Sequence, residues 1–121
     1  MKVLHIDDSK EICKLYSDMF STDEHEIQSV YDGKQGLELV LKNDYDLILL
    51  DMYIPNYSGM NFLRDLKKQR ASELRKVVVV SVLEFSAGQT EELLKLGIHS
   101  IETKPSNIQQ MEIIKKNIWL R

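Results

Sequence analysis

The feature that most constrains the fold is an alternation of short apolar runs with stretches of helical periodicity, repeated five times along the chain. The apolar runs lie at residues 3–6, 27–31, 47–50, 77–82 and, more weakly, 100–103. Three of these runs are nearly continuous and rich in leucine or β-branched residues, which is typical of parallel strands covered on both faces. Since short, right-handed connections join such strands, the pattern predicts an α/β fold with a doubly wound, five-stranded parallel sheet.

The stretches between the runs repeat their apolar residues at helical spacing. Ser9 and Asn107 are suited to cap the starts of the first and fifth helices, and Gly97 is suited to end the fourth. From the first helix to the fifth, the stripes are Ile12, Leu15, Tyr16, Met19 and Phe20; Leu37, Val40 and Leu41; Met60, Leu63 and Leu66; Leu93, Leu94 and Leu96; and Ile108, Met111, Ile114 and Ile118. With 121 residues, the chain is expected to form one domain, residues 1–121.

The composition limits which partners and which cellular compartment are expected. A net charge of −3 gives no support for direct binding to nucleic acid or to an anionic membrane surface. The longest apolar runs, at 47–50 and 77–80, are far too short to span a membrane. Cys13 is the single cysteine, so no internal disulfide can form, and a reducing, cytoplasmic location is expected.

Charged and hydroxyl side chains stand where the predicted strands end. Asp7 and Asp8 follow the first strand, and Asp51 follows the third. Ser81 lies near the end of the fourth strand, and Lys104 follows the fifth. Each residue alone has an ordinary interpretation as a turn, cap or surface residue. Because ligands bind beyond the carboxyl ends of the strands in such sheets, the five together indicate a functional site.

The residue types at this edge indicate phosphoryl chemistry. Clustered carboxylates repel one another unless a cation or a proton intervenes. Three of them suit a hard divalent ion, Mg²⁺ or Mn²⁺, that also accepts phosphate oxygens as ligands. A carboxylate can act as a nucleophile and form an acyl phosphate. A metal on one side and the ammonium of Lys104 on the other would stabilise the charge of the transferred group.

At these residues the sequence resembles the receiver domain of two-component response regulators. The matching pieces are residues 3–9, residues 47–55 with Gly59, the apolar strand that leads into Ser81, and residues 97–105. The resemblance covers essentially the whole chain, and the order and spacing of the pieces are specific although no single piece is. It implies a flavodoxin-like fold, (βα)5, with the strand order 2-1-3-4-5.

The resemblance also implies a metal site. Asp8 matches a direct metal ligand, and Asp7 matches the acidic partner that acts through a metal-bound water. Asp51 would share the cation, and Tyr53 stands where a backbone carbonyl ligates it. The expected ion is Mg²⁺ or Mn²⁺.

The remaining roles concern the phosphoryl group. Asp51 matches the phosphoacceptor, Lys104 the lysine that binds the phosphoryl group, and Ser81 the switch hydroxyl. Pro105 matches the proline after the lysine, which often follows a cis bond.

The family's activity is a phosphoaspartate switch and not an enzyme acting on a separate substrate, although the domain takes part in its own phosphorylation and dephosphorylation. A histidine kinase or a histidine phosphotransfer protein would donate the phosphoryl group. The surface of the fourth helix, fifth strand and fifth helix, around Ile98, Ile101 and Glu102, would then bind a downstream protein or a second copy. If the chain is complete, it resembles stand-alone, chemotaxis-type receivers; a fragment of a longer protein would look the same.

Two positions and one loop depart from the usual family pattern. Ile101 stands where an aromatic residue often swings inward on activation, so the coupling of hydroxyl to aromatic ring is not expected here. Val82 is bulkier than the small residue that usually follows the switch hydroxyl, and it is expected to hinder access to the phosphoryl group. The loop after Ser81 is about one residue longer than is common. These departures bear on output and dephosphorylation, not on the acceptor.

Three other classes of protein compete with this interpretation. An unphosphorylated, receiver-like interaction module would share the fold but would not bind Mg²⁺. A phosphatase of the haloacid dehalogenase type would need a second aspartate at the position of Tyr53, and a cap domain for which the chain has no room. A flavodoxin would avoid carboxylates such as Asp7 and Asp8 in its phosphate loop.

Overall fold

In the computed structural model, the described residues are 1–20 and 25–104, together with 109, 113 and 116. Within them, five parallel strands form one sheet in the order β2-β1-β3-β4-β5. The strands are β1 (Lys2–Ile6), β2 (Glu26–Val30), β3 (Leu47–Asp51), β4 (Val77–Ser81) and β5 (Ser100–Thr103). The predicted fold class and strand order are therefore confirmed.

Four of the predicted helices lie in the described part, and a 3-10 helix, Ala71–Lys76, connects the third helix to β4. The helices are α1 (Lys10–Phe20), α2 (Gly33–Lys42), α3 (Gly59–Arg70) and α4 (Ala87–Lys95). None of the helices in the described ranges is both long and apolar enough to cross a membrane. The predicted cap at Asn107 and the stripe of the fifth helix lie outside the described residues.

Alternate residues of each central strand face opposite layers of core. Leu4 and Ile6 of β1 pack with α2, α3 and α4, whereas Val3 packs with Tyr16 and Phe20 of α1. β3 divides in the same way, with residues 48 and 50 on the first side and 47 and 49 on the second. Because both faces are covered, β3 and β4 carry apolar residues at every position before their last, as the continuous runs predicted.

The pairing register brings the ends of the strands to one edge of the sheet. Ile6 pairs with Leu50, so Asp7 and Asp51 follow at the same level. Asp51 in turn pairs with Val80, and Ser81 pairs with Thr103 just before Lys104. The sheet itself thus collects the residues that the sequence analysis singled out.

Capping residues fix helix ends at both edges of the sheet: α1 and α4 begin at the edge where the strands end, and α4 ends at the opposite edge. Ser9 caps α1 as predicted, because its Oγ accepts a hydrogen bond from Ile12 N at 3.3 Å. Ser86 and Gln89 form a reciprocal capping box at the start of α4. Gly97 follows α4 with a φ of 102°, a left-handed conformation that favours glycine, so its predicted role at the helix end is confirmed.

Two strands end one residue earlier than the predicted runs. β2 ends at Val30, where the pairing with β1 ends, and the side chain of Tyr31 is 47% exposed. β4 ends at Ser81, because Leu83 N turns back to donate a hydrogen bond to Ser81 Oγ at 3.2 Å. Val82 therefore lies in the loop with 68% of its surface exposed.

The predicted contact surface around Ile98 and Ile101 needs a correction. Ile98 is 6% exposed and belongs to the core beside α4. Ile101 is partly buried and packs against the same core. The apolar side chains of both residues therefore pack against the core. The turn after Gly97 directs Ile98 inward, and the neighbouring His99 N donates a hydrogen bond to Val77 O at 2.8 Å. Among the described residues of α4 and β5, Leu94 is an apolar residue that is exposed, at 47%.

Candidate functional site

Three carboxylates meet where β1 and β3 end. Oxygen atoms of Asp7, Asp8 and Asp51 all lie within 4.8 Å of one another. Asp7 and Asp51 are buried, whereas Asp8 is exposed to solvent. An all-oxygen donor set, closed on one side and open on the other, fits a hard divalent cation that keeps some of its waters. The described residues could therefore hold Mg²⁺ at this position.

Asp51 lies at the centre of the cluster and is only 5% exposed. Its Oδ1 accepts a hydrogen bond from Tyr53 N at 3.2 Å, and its Oδ2 lies 3.2 Å from Lys104 Nζ. Burial raises the pKa of Asp51 above its usual value, although the Tyr53 amide and the ammonium of Lys104 oppose the shift. The carboxylate is thus held in a fixed orientation, in surroundings that favour charge neutralisation.

Asp7 is fully buried and makes closer contacts than Asp51 does. Its Oδ1 accepts a hydrogen bond from Ser9 N at 2.9 Å, and its Oδ2 lies 2.6 Å from Lys104 Nζ. Burial alone would raise the pKa of Asp7, but His5 and Lys104 outweigh burial and leave the pKa below its usual value. Asp7 is therefore the ionised partner of the buried lysine.

Lys104 bridges the two buried carboxylates. Burial disfavours its charged form, yet the attraction of Asp7 and Asp51 dominates and raises its pKa. Its backbone amide donates a hydrogen bond to Ser81 O at 2.7 Å, which fixes the residue at the end of β5 against the end of β4. The ammonium consequently points into the carboxylate cluster from the side of β4 and β5.

The other predicted residues occupy the rim of the cluster. Ser81 is 1% exposed, and its Oγ accepts a hydrogen bond from Leu83 N. Tyr53 approaches Asp51 through its backbone amide, while its side chain is 54% exposed and stacks on Phe85 with ring centroids 6.4 Å apart. The structure thus brings Asp7, Asp8, Asp51 and Lys104 into one cluster. Pro105 lies outside the described residues.

Two residues at the site had no role assigned from the sequence. His5 is fully buried, with Nε2 3.7 Å from Asp7 Oδ2. The alternation along β1 was the available signal, since residues two apart on a strand share a face. Gly59 packs against the loop after β3: a Cβ there would lie 2.7 Å from Met52 Cα and 3.0 Å from Asp51 O. Glycine is required at this position because the start of α3 approaches that backbone closely.

Comparison with known sequences places these residues in a described family. Residues 3–115 match the sequence profile described as the response regulator receiver domain. The response regulator ArlR of Staphylococcus saprophyticus is 32% identical over 111 residues, which cover 91% of this chain and 48% of ArlR. The transcriptional regulatory protein DltR of Streptococcus agalactiae is 27% identical over 111 residues, which cover 92% of this chain and 48% of DltR. This chain thus spans about half the length of the curated relatives that it matches.

Solved structures give the same result at the level of the fold. The receiver domain of the Francisella response regulator 1452 superposes with a TM-score of 0.80 at 32% identity, covering 99% of this chain and 97% of that one. The chemotaxis response regulator CheY4 of Vibrio cholerae gives a TM-score of 0.81 at 22% identity, with 97% of each chain covered. The second likeness concerns the fold alone.

Proposed function

This chain belongs to the response regulator receiver domain family, and from that premise we propose that it is a phosphoaspartate switch of a two-component phosphorelay. The observation that carries the proposal is the position of Lys104 Nζ, which lies 2.6 Å from Asp7 Oδ2 and 3.2 Å from Asp51 Oδ2 in a cluster of three carboxylates. A buried ammonium beside clustered carboxylates is suited to stabilise the charge of a phosphoryl group that is transferred to an aspartate.

Asp51 is the proposed acceptor. One of its carboxylate oxygens attacks the phosphorus of a phosphohistidine, the new oxygen–phosphorus bond forms, and the phosphorus–nitrogen bond breaks. The electron pair stays on the imidazole nitrogen of the donor, which then takes a proton from water. The buried position of Asp51 supports this role, because the Tyr53 amide and Lys104 fix the carboxylate and so orient it for in-line attack.

Lys104 and Ser81 would bind the transferred group. The phosphoryl oxygens bring new negative charge beside Asp51, which attracts the Lys104 ammonium away from Asp7. Ser81 is buried beside the backbone of Lys104, so its hydroxyl could donate to another phosphoryl oxygen. That movement would alter the hydrogen bond between Ser81 Oγ and Leu83 N, and with it the loop that leads to α4.

The acidic residues would hold the cation. We assign Asp8 and Asp51 as direct ligands, Asp7 as a partner through a metal-bound water, and the backbone carbonyl of Tyr53 as a further ligand. When bound, Mg²⁺ or Mn²⁺ neutralises charge on the carboxylates and on the phosphoryl oxygens. The carboxylate oxygens within 4.8 Å of one another support the first three assignments.

The proposed partners are proteins. A histidine kinase or a histidine phosphotransfer protein would donate the phosphoryl group, and a downstream protein or a second copy would bind the surface of α4, β5 and the fifth helix. Because Ile98 is buried, we now place the apolar part of that contact at Leu94, beside the exposed ion pair between Glu91 and Lys95. The proposed location is cytoplasmic, which is supported by the single cysteine, Cys13, since it can form no internal disulfide.

The test is the intact mass of the chain after incubation with acetyl phosphate, with and without Mg²⁺. We expect a gain of one phosphoryl group that requires Mg²⁺ and is absent from Asp51→Asn. Asp18→Asn, which removes an exposed carboxylate of α1, is the matched control and should gain the group normally.

Two results would contradict the proposal. Stoichiometric phosphorylation of Asp51→Asn would show that the acceptor is another residue. No phosphorylation from acetyl phosphate or from a phosphorylated histidine phosphotransfer protein would favour the unphosphorylated interaction module.

A further inference from the structure

His5 lies directly behind the carboxylate cluster, in the interior of the fold. It is fully buried in β1, and the alternation of the strand directs it to the same face as Val3 and Asp7. Its ring stacks on the ring of Tyr16 of α1, with centroids 4.3 Å apart and planes 14° apart. This stacking holds the imidazole with Nε2 3.7 Å from Asp7 Oδ2.

Packing alone does not explain a buried imidazole at this position. Val3, two residues earlier on the same face, is apolar, as expected of a strand covered by α1. Within the described part of the chain, neither ring nitrogen of His5 makes a hydrogen bond that meets the usual distance limit. Burial of an unpaired polar group is unfavourable. A role for the ring nitrogen toward Asp7 would account for the residue.

The carboxylate of Asp7 is held from two directions. Ser9 N donates to Oδ1, and Lys104 Nζ lies in front of Oδ2. If the proposed function is right, Lys104 turns toward the phosphoryl group, and Oδ2 then loses its closest contact. His5 Nε2 is the remaining donor that faces Oδ2 among the described residues. A small shift from 3.7 Å would complete that hydrogen bond.

We propose that His5 is a positioning residue for Asp7: its Nε2–H faces Asp7 Oδ2 and keeps the carboxylate oriented toward the cation. The inference rests on the proposed function of the cluster as a Mg²⁺ site. Residues that orient the groups around a metal change metal affinity by about 10- to 100-fold when they are removed. His5 should therefore affect Mg²⁺ binding more than it affects folding.

The first test is the Kd for Mg²⁺, measured by isothermal titration calorimetry on the whole chain. His5→Phe keeps an aromatic ring for Tyr16 but has no N–H, and it should raise Kd by about tenfold or more. His5→Gln carries an N–H at similar reach and should bind within about threefold of wild type. His99→Phe, at an exposed histidine outside the site, should bind Mg²⁺ like wild type.

A second test measures the wild-type chain itself and uses a variant only to assign the signals. Long-range ¹H–¹⁵N NMR spectra of the imidazole rings, assigned by the loss of signals in His5→Gln, report which nitrogen carries the proton. We expect the neutral tautomer of His5 protonated at Nε2. A proton at Nδ1 would overturn the proposal, because no N–H would then face Asp7.

The binding outcomes separate this proposal from the one it rests on. If wild type binds Mg²⁺ and His5→Phe binds it equally well, the role of His5 is overturned while the cation site stands. If His5→Gln is as weak as His5→Phe, the N–H is not responsible, and the proposal is likewise overturned. If wild type itself does not bind Mg²⁺, the proposed cation site is wrong, and the role of His5 is overturned with it.

Discussion

The Nζ atom of Lys104 lies 2.6 Å from Asp7 Oδ2, closer than its 3.2 Å distance from Asp51 Oδ2. The lysine therefore makes its tightest ion pair with the carboxylate behind the proposed acceptor and not with the acceptor itself. Both partners of that pair are buried, with side-chain exposures of 8% for Lys104 and 0% for Asp7. The same contact contributes to the stability of the fold and gives Lys104 a position from which it can turn toward Asp51.

Lys104→Met should destabilise the fold in cation-free buffer at pH 7. Removing one partner of a buried ion pair leaves the other charge uncompensated, which costs about 3 kcal/mol. Urea unfolding measures the change in the free energy of unfolding. Lys95→Met removes the exposed pair with Glu91 and should cost at most about 0.5 kcal/mol. Equal losses in the two variants would contradict a special role for the buried pair.

Asp51→Asn should be more stable than wild type at neutral pH in the absence of divalent cations. Burial raises the pKa of Asp51 above its ordinary value of 3.8, so its ionised form is unfavourable in the folded state. The contribution of Asp51 to stability is complete below that value and is lost as the pH rises through the folded pKa. The advantage of the variant should therefore vanish near pH 3 and grow toward pH 7.

Urea unfolding at a series of pH values, in the presence of EDTA, measures that difference. Asp18→Asn on the exposed surface of α1 should follow wild type at every pH. A variant at Asp51 that is less stable than wild type at pH 7 would show that the ion pair with Lys104 outweighs burial.

The fold and most of the site could be predicted because the geometry of a parallel sheet is simple. Continuous apolar runs indicate buried strands, and residues such as Asp51 and Lys104 that follow them must lie at one edge of the sheet. The order of the strands came from the family resemblance, since periodicity does not say which strands are neighbours.

What could not be predicted depends on contacts between distant parts of the chain. Ile98 looks like a surface residue in a short loop, but the turn after Gly97 directs it into the core. His5 looks like an isolated histidine; the alternation along β1 puts it on the same face as Asp7, but the direction of its ring is fixed by stacking on Tyr16 of α1. In both cases the direction of one side chain is set by tertiary packing, which local pattern does not encode.

Mg²⁺ should stabilise the wild-type chain against urea. A ligand that binds the folded state alone adds about 2.7 kcal/mol to the free energy of unfolding at 100 times its Kd. Asp8→Asn replaces the exposed carboxylate that we propose as a direct ligand with a neutral amide, so the variant should lose most of this gain. Unfolding curves across a series of MgCl₂ concentrations, at constant ionic strength kept with NaCl, separate binding from screening. An equal response of Asp8→Asn and wild type would contradict the proposed ligand.

Tyr16→Phe should leave the fold as stable as wild type or make it more stable. The hydroxyl of Tyr16 is buried and has no hydrogen-bond partner among the described residues, whereas its ring stacks on His5. Removing an unsatisfied buried hydroxyl relieves a cost of about 1 kcal/mol, and phenylalanine keeps the stacking surface. Thermal or urea unfolding measures the change. A loss of more than about 1 kcal/mol would indicate that the hydroxyl has a partner in solution, such as a buried water.

Gly59→Ala should destabilise the fold and disturb the loop after Asp51. An added Cβ would lie 2.7 Å from Met52 Cα and 3.0 Å from Asp51 O, so backbone atoms beside the proposed acceptor must move. We expect a loss of about 2 kcal/mol, the range of an overpacked core, together with slower phosphorylation by acetyl phosphate.

Gly88→Ala is the matched control, because Gly88 lies near the start of α4 with no atom within 4 Å of its added Cβ. That change should raise the free energy of unfolding by about 0.5–1 kcal/mol, since alanine favours the helix over glycine. Urea unfolding of both variants beside wild type measures the contrast, and a Gly59→Ala chain as stable as Gly88→Ala would show that the close approach of α3 to Asp51 is not required.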